Sequence, residues 1–392
     1  MPRHKEIPLS APVVWGREIE YVEKCLRTRW LSDGIFVRKF EAAVRGYTGA
    51  GHTVACVNGT AGLEVALRLA GVNQGDEVIV PTLTFIATVN AVSYLKAHPV
   101  FMDCDDYMNM DADKLADFCE KKCAFTKKGL KNRKTGRMIK AVIPVHVFGN
   151  PCDMEGIMRV ASEYGLKVIE DAAESMGSYY IKGPYRGKFT GAIGDLGVFS
   201  FNGNKIITSG GGGMIAARDR KLADKARYLV DQAKDDTVRY VHDDIGYNYR
   251  LTNILAAVGL AQFEDLEKRI KIKRANFACY KKLVSGIPGL TFVEEPPYAR
   301  ANYWFYSLLV DERVYGMPNF RLLDALAGDH IMTRPVWKLN HAQRPYLKCE
   351  SYRIEKARYF YKRILNLPCS VNLTVKDIET VVKVLRKHAK KK

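Results

Sequence analysis

Lys205 is the residue whose setting first points to chemistry. A strand-like run, Gly197–Phe201, gives way to Asn202-Gly203-Asn204-Lys205, and four glycines, Gly210 to Gly213, open the next apolar run. Consecutive glycines cost chain entropy and mark close approach of backbone or ligand. A lysine between Asn204 and Ile206 beside such a run is unlike a solvated surface lysine. An amine in a site of this kind can form a Schiff base with a carbonyl. Upstream, Val168-Ile169 runs straight into Glu170-Asp171, and Glu174 follows. A carboxylate at the carboxyl end of a strand can face a ligand and hold a heterocyclic nitrogen protonated. Acids are equally at home where a helix begins. Asn58-Gly59-Thr60-Ala61 stands between a strand and a helix, where free N–H groups and the helix dipole attract phosphate. It also reads as an ordinary N-cap. Tyr247-Asn248-Tyr249-Arg250 crowd polar groups before an apolar helix and suit phosphate or sugar hydroxyls, or a polar loop.

These segments need a frame that brings strand ends together. Runs at His52–Val57, Glu77–Pro81, Pro99–Asp103, Ala141–Val147, Lys167–Glu170, Gly197–Phe201 and Gly213–Ala217 read as strands, with helices at Gly62–Leu69 and Ala87–Leu95. The alternation predicts an α/β fold with a mostly parallel central sheet, whose sites gather at the carboxyl ends of strands. From about Leu260 the texture changes. A charged helix runs through Glu264–Arg269, followed by short strands at Leu290–Val293, Trp304–Val310 and Ile331–Val336 and a helix at Phe320–Ala327. The last helix opens on Thr374 and Asp377 at capping-box spacing. The reading is a large domain over 1–259 and a smaller C-terminal α+β domain over 260–392. A helix near Trp15–Thr28 lies outside the first sheet and could pack on either.

The 392 residues carry 61 Lys and Arg against 43 Asp and Glu, a formal charge of +18. Such a balance suits an anionic partner: nucleic acid, a membrane surface or a phosphorylated small molecule. Nine Lys or Arg and no acid lie between Lys121 and Lys140, and the chain ends Lys387-His388-Ala389-Lys390-Lys391-Lys392. Both stretches read as solvated, a surface loop and a tail. The basic run lacks the aromatic interleaving of a single-strand binder, and no helix-turn-helix or zinc-finger pattern accompanies it. No apolar run is long enough to span a bilayer, and Met1–Leu9 lacks the apolar stretch of a signal peptide. Nine scattered cysteines fit reduced thiols better than a disulfide framework. Cys119 and Cys123 are spaced for one helix face, with no His or second Cys pair nearby to complete a zinc site. The expectation is a cytoplasmic protein that engages neither nucleic acid nor membrane.

Taken in order, Asn58-Gly59-Thr60-Ala61, Glu170-Asp171-Ala172-Ala173-Glu174, Ser200-Phe201-Asn202-Gly203-Asn204-Lys205 and Gly246-Tyr247-Asn248-Tyr249-Arg250 resemble the sugar-nucleotide aminotransferases of the DegT/DnrJ/EryC1/StrS family. The resemblance covers nearly the whole chain. It implies fold type I of the pyridoxal 5'-phosphate (PLP) enzymes, with PLP as cofactor. By the same resemblance Lys205 binds the cofactor carbonyl, Asp171 pairs with the pyridine nitrogen and Phe85 stacks on the ring. Glu174 approaches the ring hydroxyl, where many relatives carry Gln. Gly59, Thr60 and Ser200 hold the phosphate. Asn248 reaches that phosphate from the partner subunit, since these enzymes are homodimers with shared sites. Some members dehydrate a sugar and carry His at the lysine's place; Lys205 argues against that activity.

The implied amino donor is L-glutamate and the acceptor a nucleotide-linked keto-sugar. Thr84-Phe85-Ile86-Ala87, Gly203-Asn204-Lys205-Ile206-Ile207 and Thr333-Arg334-Pro335-Val336-Trp337-Lys338 are most similar to the group that aminates UDP-linked 4-keto-6-deoxy-N-acetylglucosamine. GDP- and dTDP-linked sugars are the alternatives. Arg250 and Arg334 are candidates for the diphosphate. Trp337 reads as a base or sugar platform or as small-domain core, and His146 as a sugar-pocket residue or a satisfied core histidine. The stretch Lys121–Lys140 reads as a surface insertion, or as a basic field that concentrates nucleotide sugar. A reading of another class, a nucleic-acid-binding or regulatory protein, predicts a colourless protein with steeply salt-dependent binding.

Overall fold

The strand runs assemble into a ten-stranded sheet in a computed structural model that describes residues 6–390. Its main path is His52–Cys56, Gly213–Ala217, Leu196–Ser200, Lys167–Asp171, Met138–Val142, Glu77–Pro81, His98–Met102 and Ser351–Tyr352. Neighbours are parallel from Leu196–Ser200 onward, and Gly213–Ala217 runs antiparallel to both of its neighbours. Apolar runs such as Val78-Ile79-Val80, fully buried, suit strands covered on both faces. Helix starts follow local chemistry: Asn58, Asp111, Asp153 and Asp219 each accept a backbone N–H from the first turn that follows. The helix Glu18–Thr28 packs on Asn253–Glu264, as does Ile35–Thr48.

A second, antiparallel sheet follows the order Leu290–Phe292, Tyr306–Val310, Ile364–Leu367, Arg334–Pro335, with the helices Leu266–Val284 and Val375–His388 packed together beside it. The capping box forms: Thr374 Oγ1 accepts the Asp377 N–H at 3.1 Å, and Asp377 Oδ2 accepts the Thr374 N–H at 3.0 Å. Residue 260 falls inside the helix Asn253–Glu264. Three stitches cross that position in sequence, one of them the antiparallel pairing of Ala299–Arg300 with Tyr179–Tyr180. Ser351–Tyr352 adds in parallel to His98–Met102 of the large sheet, and Ile7 bridges to Ile331.

The basic stretch is not a loop. Cys123–Thr126 and Gly129–Asn132 form a hairpin whose second strand pairs with Met138 and Ile139. The strand expected from Ala141 therefore begins at Met138, and it ends at Val142, short of Pro144. Buried Cys123, Leu130, Asn132 and Ile139 each stand next to a lysine, so the buried face lies hidden under the charge. Cys123 has left the helix that ends at Lys122, so it does not share a helix face with Cys119. All nine cysteines are free thiols. Ile331–Val336 is not one strand, because only Arg334–Pro335 pairs in the sheet. The C-terminal basic run is helical through His388, and Lys387 reaches Asp329 at 3.3 Å; Met1–Lys5, Lys391 and Lys392 lie outside the described residues. Among the described residues no helix is long and apolar enough to cross a membrane.

Candidate active site

Strand ends and the turns after them surround one cavity of about 1200 Å³. The strand His52–Cys56 leads to Asn58, whose Oδ1 accepts the Ala61 N–H at 2.8 Å and starts the helix Gly59–Leu69. The first turn of that helix presents backbone N–H groups and its positive dipole end to the cavity. Gly59 allows close packing: a Cβ there would stand 3.0 Å from the Ser200 Cβ. The glycine run has a related purpose. A Cβ on Gly213 would stand 2.7 Å from the Asn58 carbonyl oxygen and 2.8 Å from the Gly59 nitrogen, so the antiparallel strand presses directly on this turn. Asn58 is thus an N-cap, and the turn it closes is also a place for a phosphate.

Asp171 ends the strand Lys167–Asp171 and is 5% exposed. Its Oδ2 accepts the Thr88 hydroxyl at 2.7 Å and its Oδ1 accepts the Ala173 N–H at 3.1 Å. Burial raises its pKa, while those two hydrogen bonds and the charge of Lys205 oppose the rise. Glu174 is buried beside it. Its Oε2 accepts the Phe148 N–H at 2.8 Å, and its Oε1 lies 3.6 Å from Lys205 Nζ. Burial pushes the Glu174 carboxyl up to about 7, against the pull of Lys205. Lys205 Nζ sits 4.0 Å from the centre of the Trp304 ring, and Trp304 Nε1 donates to the Asn204 carbonyl at 2.7 Å. The indole therefore pins the lysine's own turn.

The facing wall comes from the smaller unit. Arg334, Trp337 and Lys338 line the cavity together with Phe85, which is 52% exposed. The Trp337 ring lies 6.3 Å from that of Phe85 and 4.7 Å from that of Phe148. Arg334 donates to its neighbour's carbonyl at Thr333, and among the described residues it has no acidic partner within 4.0 Å. Asn340 fastens this wall to the other. Its Nδ2 donates to the carbonyls of Thr82 at 3.2 Å and Thr84 at 2.8 Å, and its own N–H donates to Thr82 O at 2.9 Å.

The structure thus brings Gly59, Thr60, Phe85, Asp171, Glu174, Ser200, Lys205, Arg334 and Trp337 to one cavity. Two residues expected at the cavity are elsewhere. His146 does not open into the sugar pocket: it is fully buried, with Nδ1 accepting the Cys152 N–H at 3.0 Å and Nε2 3.1 Å from Glu170. Both ring nitrogens are used, so it is a satisfied core histidine. Arg250 also stands off the cavity, paired with Asp33 at 3.3 Å and Asp231 at 3.4 Å. Asn248 bridges to Asp231 and does not line the cavity of its own chain. Sequence reasoning missed Thr88, Trp304 and Asn340. Thr88 hides in an apolar helix with no signal, whereas Asn302-Tyr303-Trp304, dense in polar and aromatic groups, was a signal left unused.

Comparison with known proteins agrees with this arrangement. The description "DegT/DnrJ/EryC1/StrS aminotransferase family" matches residues 14–386. The chain is 39% identical over 386 residues to a GDP-perosamine synthase of Caulobacter vibrioides, covering 97% of each. It is 37% identical to the putative pyridoxal phosphate-dependent aminotransferase EpsN of Bacillus subtilis, over 97% of this chain and 95% of that one. The solved aminotransferase TlmJ of Streptoalloteichus hindustanus superposes with a TM-score of 0.86 at 27% identity, covering 98% of this chain and 99% of the other. With a mostly parallel sheet, a smaller α+β unit and a lysine facing a buried aspartate, this chain belongs to the DegT/DnrJ/EryC1/StrS family and is a PLP-dependent sugar-nucleotide aminotransferase.

Proposed function

We propose that the enzyme moves the amino group of L-glutamate to UDP-linked 4-keto-6-deoxy-N-acetylglucosamine, giving a 4-amino sugar nucleotide and 2-oxoglutarate. One observation carries the reading. The wall holding Lys205 and Asp171 faces a wall holding Arg334, Trp337 and Lys338 across a cavity large enough for a cofactor and a bulky anionic substrate together.

The residues present fit PLP. Asp171 is a buried carboxylate with no ion pair at hydrogen-bonding distance among the described residues, as a partner for a protonated ring nitrogen should be. The tight approach of Gly59 to Ser200, at the mouth of a helix, suits a phosphate. Bound there, PLP supplies an electron sink and carries nitrogen between the two half-reactions. The Gly59 and Thr60 N–H groups, with the Thr60 and Ser200 hydroxyls, hold the phosphate. With PLP bound, Asp171 would keep the ring nitrogen protonated, Phe85 would cover the ring face and Glu174 would lie toward the ring hydroxyl. Lys205 Nζ takes the proton from the α-carbon of glutamate and later places one on the sugar carbon that gains the amine. Arg334 and Lys338 neutralise the diphosphate, and Trp337 packs on the base or sugar.

The reading includes a cytoplasmic homodimer in which Asn248 of the partner subunit completes the phosphate site. Ile19, Leu26, Trp30 and Ile35 leave apolar surface on the first two helices and the segment between them, which supports such a pairing. Free thiols are in keeping with a reducing compartment. A GDP-linked acceptor is the second reading, favoured by the 39% identity to a GDP-perosamine synthase.

The first test is the absorption spectrum of the freshly purified protein. A band near ~410–430 nm that borohydride removes, with the label fixed on the Lys205 peptide, is the expected result. No band after adding PLP would sink the reading. With glutamate as donor, UDP-, GDP- and dTDP-linked 4-keto-6-deoxy sugars then compete. The UDP compound should lead in kcat/KM by ~10-fold or more, and a lead for the GDP sugar would install the second reading. Lys205→Ala should cost at least ~1000-fold in turnover.

A further inference from the structure

We propose that the basic hairpin of residues 121–140 is a docking surface for an anionic phospholipid bilayer, on which the enzyme sits with its active site facing away. The placement carries the argument. The second hairpin strand pairs with Met138 and Ile139, the first residues of a parallel strand. The cavity opens at the opposite, carboxyl ends of these strands, at Asp171 and Ser200. The sheet separates the two by the length of a five-residue strand, roughly 17 Å. No residue from 121 to 140 lines the cavity. The basic run therefore does not serve as a field that draws nucleotide sugar to the site, and its charge needs another partner.

Eight of the nine basic residues there are exposed, and Lys140 is half-buried. Three are neutralised nearby: Lys121 by Asp117, Lys134 by Glu350 at 3.7 Å and Arg137 by Glu77 at 3.7 Å. Asp113 and Glu120 on Ala112–Lys122, and Glu155 and Glu163 on Met154–Tyr164, are the other acids on the helices beside the hairpin. Among the described residues Lys122, Lys127, Lys128, Lys131 and Arg133 have no acidic partner within 4.0 Å. Between them Phe125 is 61% exposed, with one ring edge on Tyr164. The hairpin is paired to the sheet; Lys131 and Arg133 lie on the face opposite the one that buried Cys123, Leu130 and Asn132 share with Phe125, and Lys127 and Lys128 occupy the turn.

The chemistry favours lipid over the other polyanions. Lysines outnumber arginines seven to two in the run, and lysine is a mobile point charge suited to a diffuse layer of headgroups, whereas arginine's fork reads single phosphates and bases. The free edge of Cys123–Thr126 is flanked by lysines, which oppose addition of a strand from another protein. The long lysine stems let the ammonium groups reach headgroups from the rigidly paired strands.

The test uses the PLP-loaded enzyme and co-sedimentation with vesicles of phosphatidylcholine, alone or mixed with phosphatidylglycerol. Binding should require phosphatidylglycerol and weaken as salt rises. Lys127→Glu, Lys128→Glu and Lys131→Glu together should lower the partition coefficient by ~10-fold or more, and the matching Gln triple should fall between. Both triples should keep the cofactor spectrum and kcat/KM of the parent, since none of the three residues touches the cavity. Equal binding to neutral and mixed vesicles, or a Glu triple that binds like the parent, overturns the proposal. So does binding of polyglutamate or single-stranded DNA through these lysines with none to the vesicles, which would assign the surface to those polymers.

Discussion

Glu174 is a carboxyl whose burial lifts it from an ordinary 4.5 to about 7, beside the Lys205 amine. The folded cofactor-free protein therefore holds this proton more tightly than the unfolded chain does. The resulting stabilisation is complete below about pH 4.5 and is lost as pH rises through about 7, on the order of 1–3 kcal/mol in all. Glu174→Gln keeps the shape without the titration. Its melting temperature, compared with that of the parent from pH 4.5 to 8, should lack this loss; equal slopes would rule the assignment out. At this scale the sequence was legible where a residue's type conflicted with its surroundings. Lys205 beside glycines and Asp171 at the end of an apolar run were such conflicts. His146 also looked like one, but its ring is satisfied by Glu170 and the Cys152 N–H, partners that no spacing in sequence announces.

Elements hold these groups in place through contacts between backbones. The strand that starts at Gly213 leaves no space for a side chain against Asn58 and Gly59. Gly213→Ala should displace the phosphate turn and weaken PLP binding by ~10-fold, read by titrating cofactor into the stripped protein. Parent-like affinity would show that the turn yields without cost. Asn340 joins the turn carrying Phe85 to the segment carrying Trp337. Asn340→Ala leaves the buried Thr84 carbonyl short of a donor while Thr82 O keeps the Asn340 backbone N–H, a loss of ~1–3 kcal/mol. The KM for the nucleotide sugar should rise several-fold while that for glutamate holds. Equal rises in both would make Asn340 a purely structural residue. The strands of the large sheet were readable because apolar runs of five residues between turn residues have few other solutions. The hairpin was not, because its buried positions are single residues each next to a lysine. Arg334–Pro335 is a strand two residues long, below what periodicity can register.

At the scale of the whole molecule, the cavity in a single chain lacks Asn248. If the partner subunit supplies it, Lys205→Ala and Asn248→Asp dimers are each inactive. Mixed dimers hold one site with both native residues, so exchanging equal amounts should restore about a quarter of the parental activity. No recovery, with exchange verified, would place Asn248 outside the shared site. The large and small sheets were foreseen from the change in texture near Leu260, but the stitches between them were not: Ile7 to Ile331 and Ser351–Tyr352 to His98–Met102 join residues far apart in sequence through isolated or two-residue pairings. The second stitch bears on how the chain is made. His98–Met102 leaves the ribosome early, yet the strand that covers its edge is translated about 250 residues later, roughly 10–50 s at typical elongation rates. Through that interval the nascent sheet carries an open parallel edge, the kind that recruits other chains. Nascent chains stalled before Ser351 should therefore depend on a ribosome-associated chaperone, and those released after Tyr352 should not.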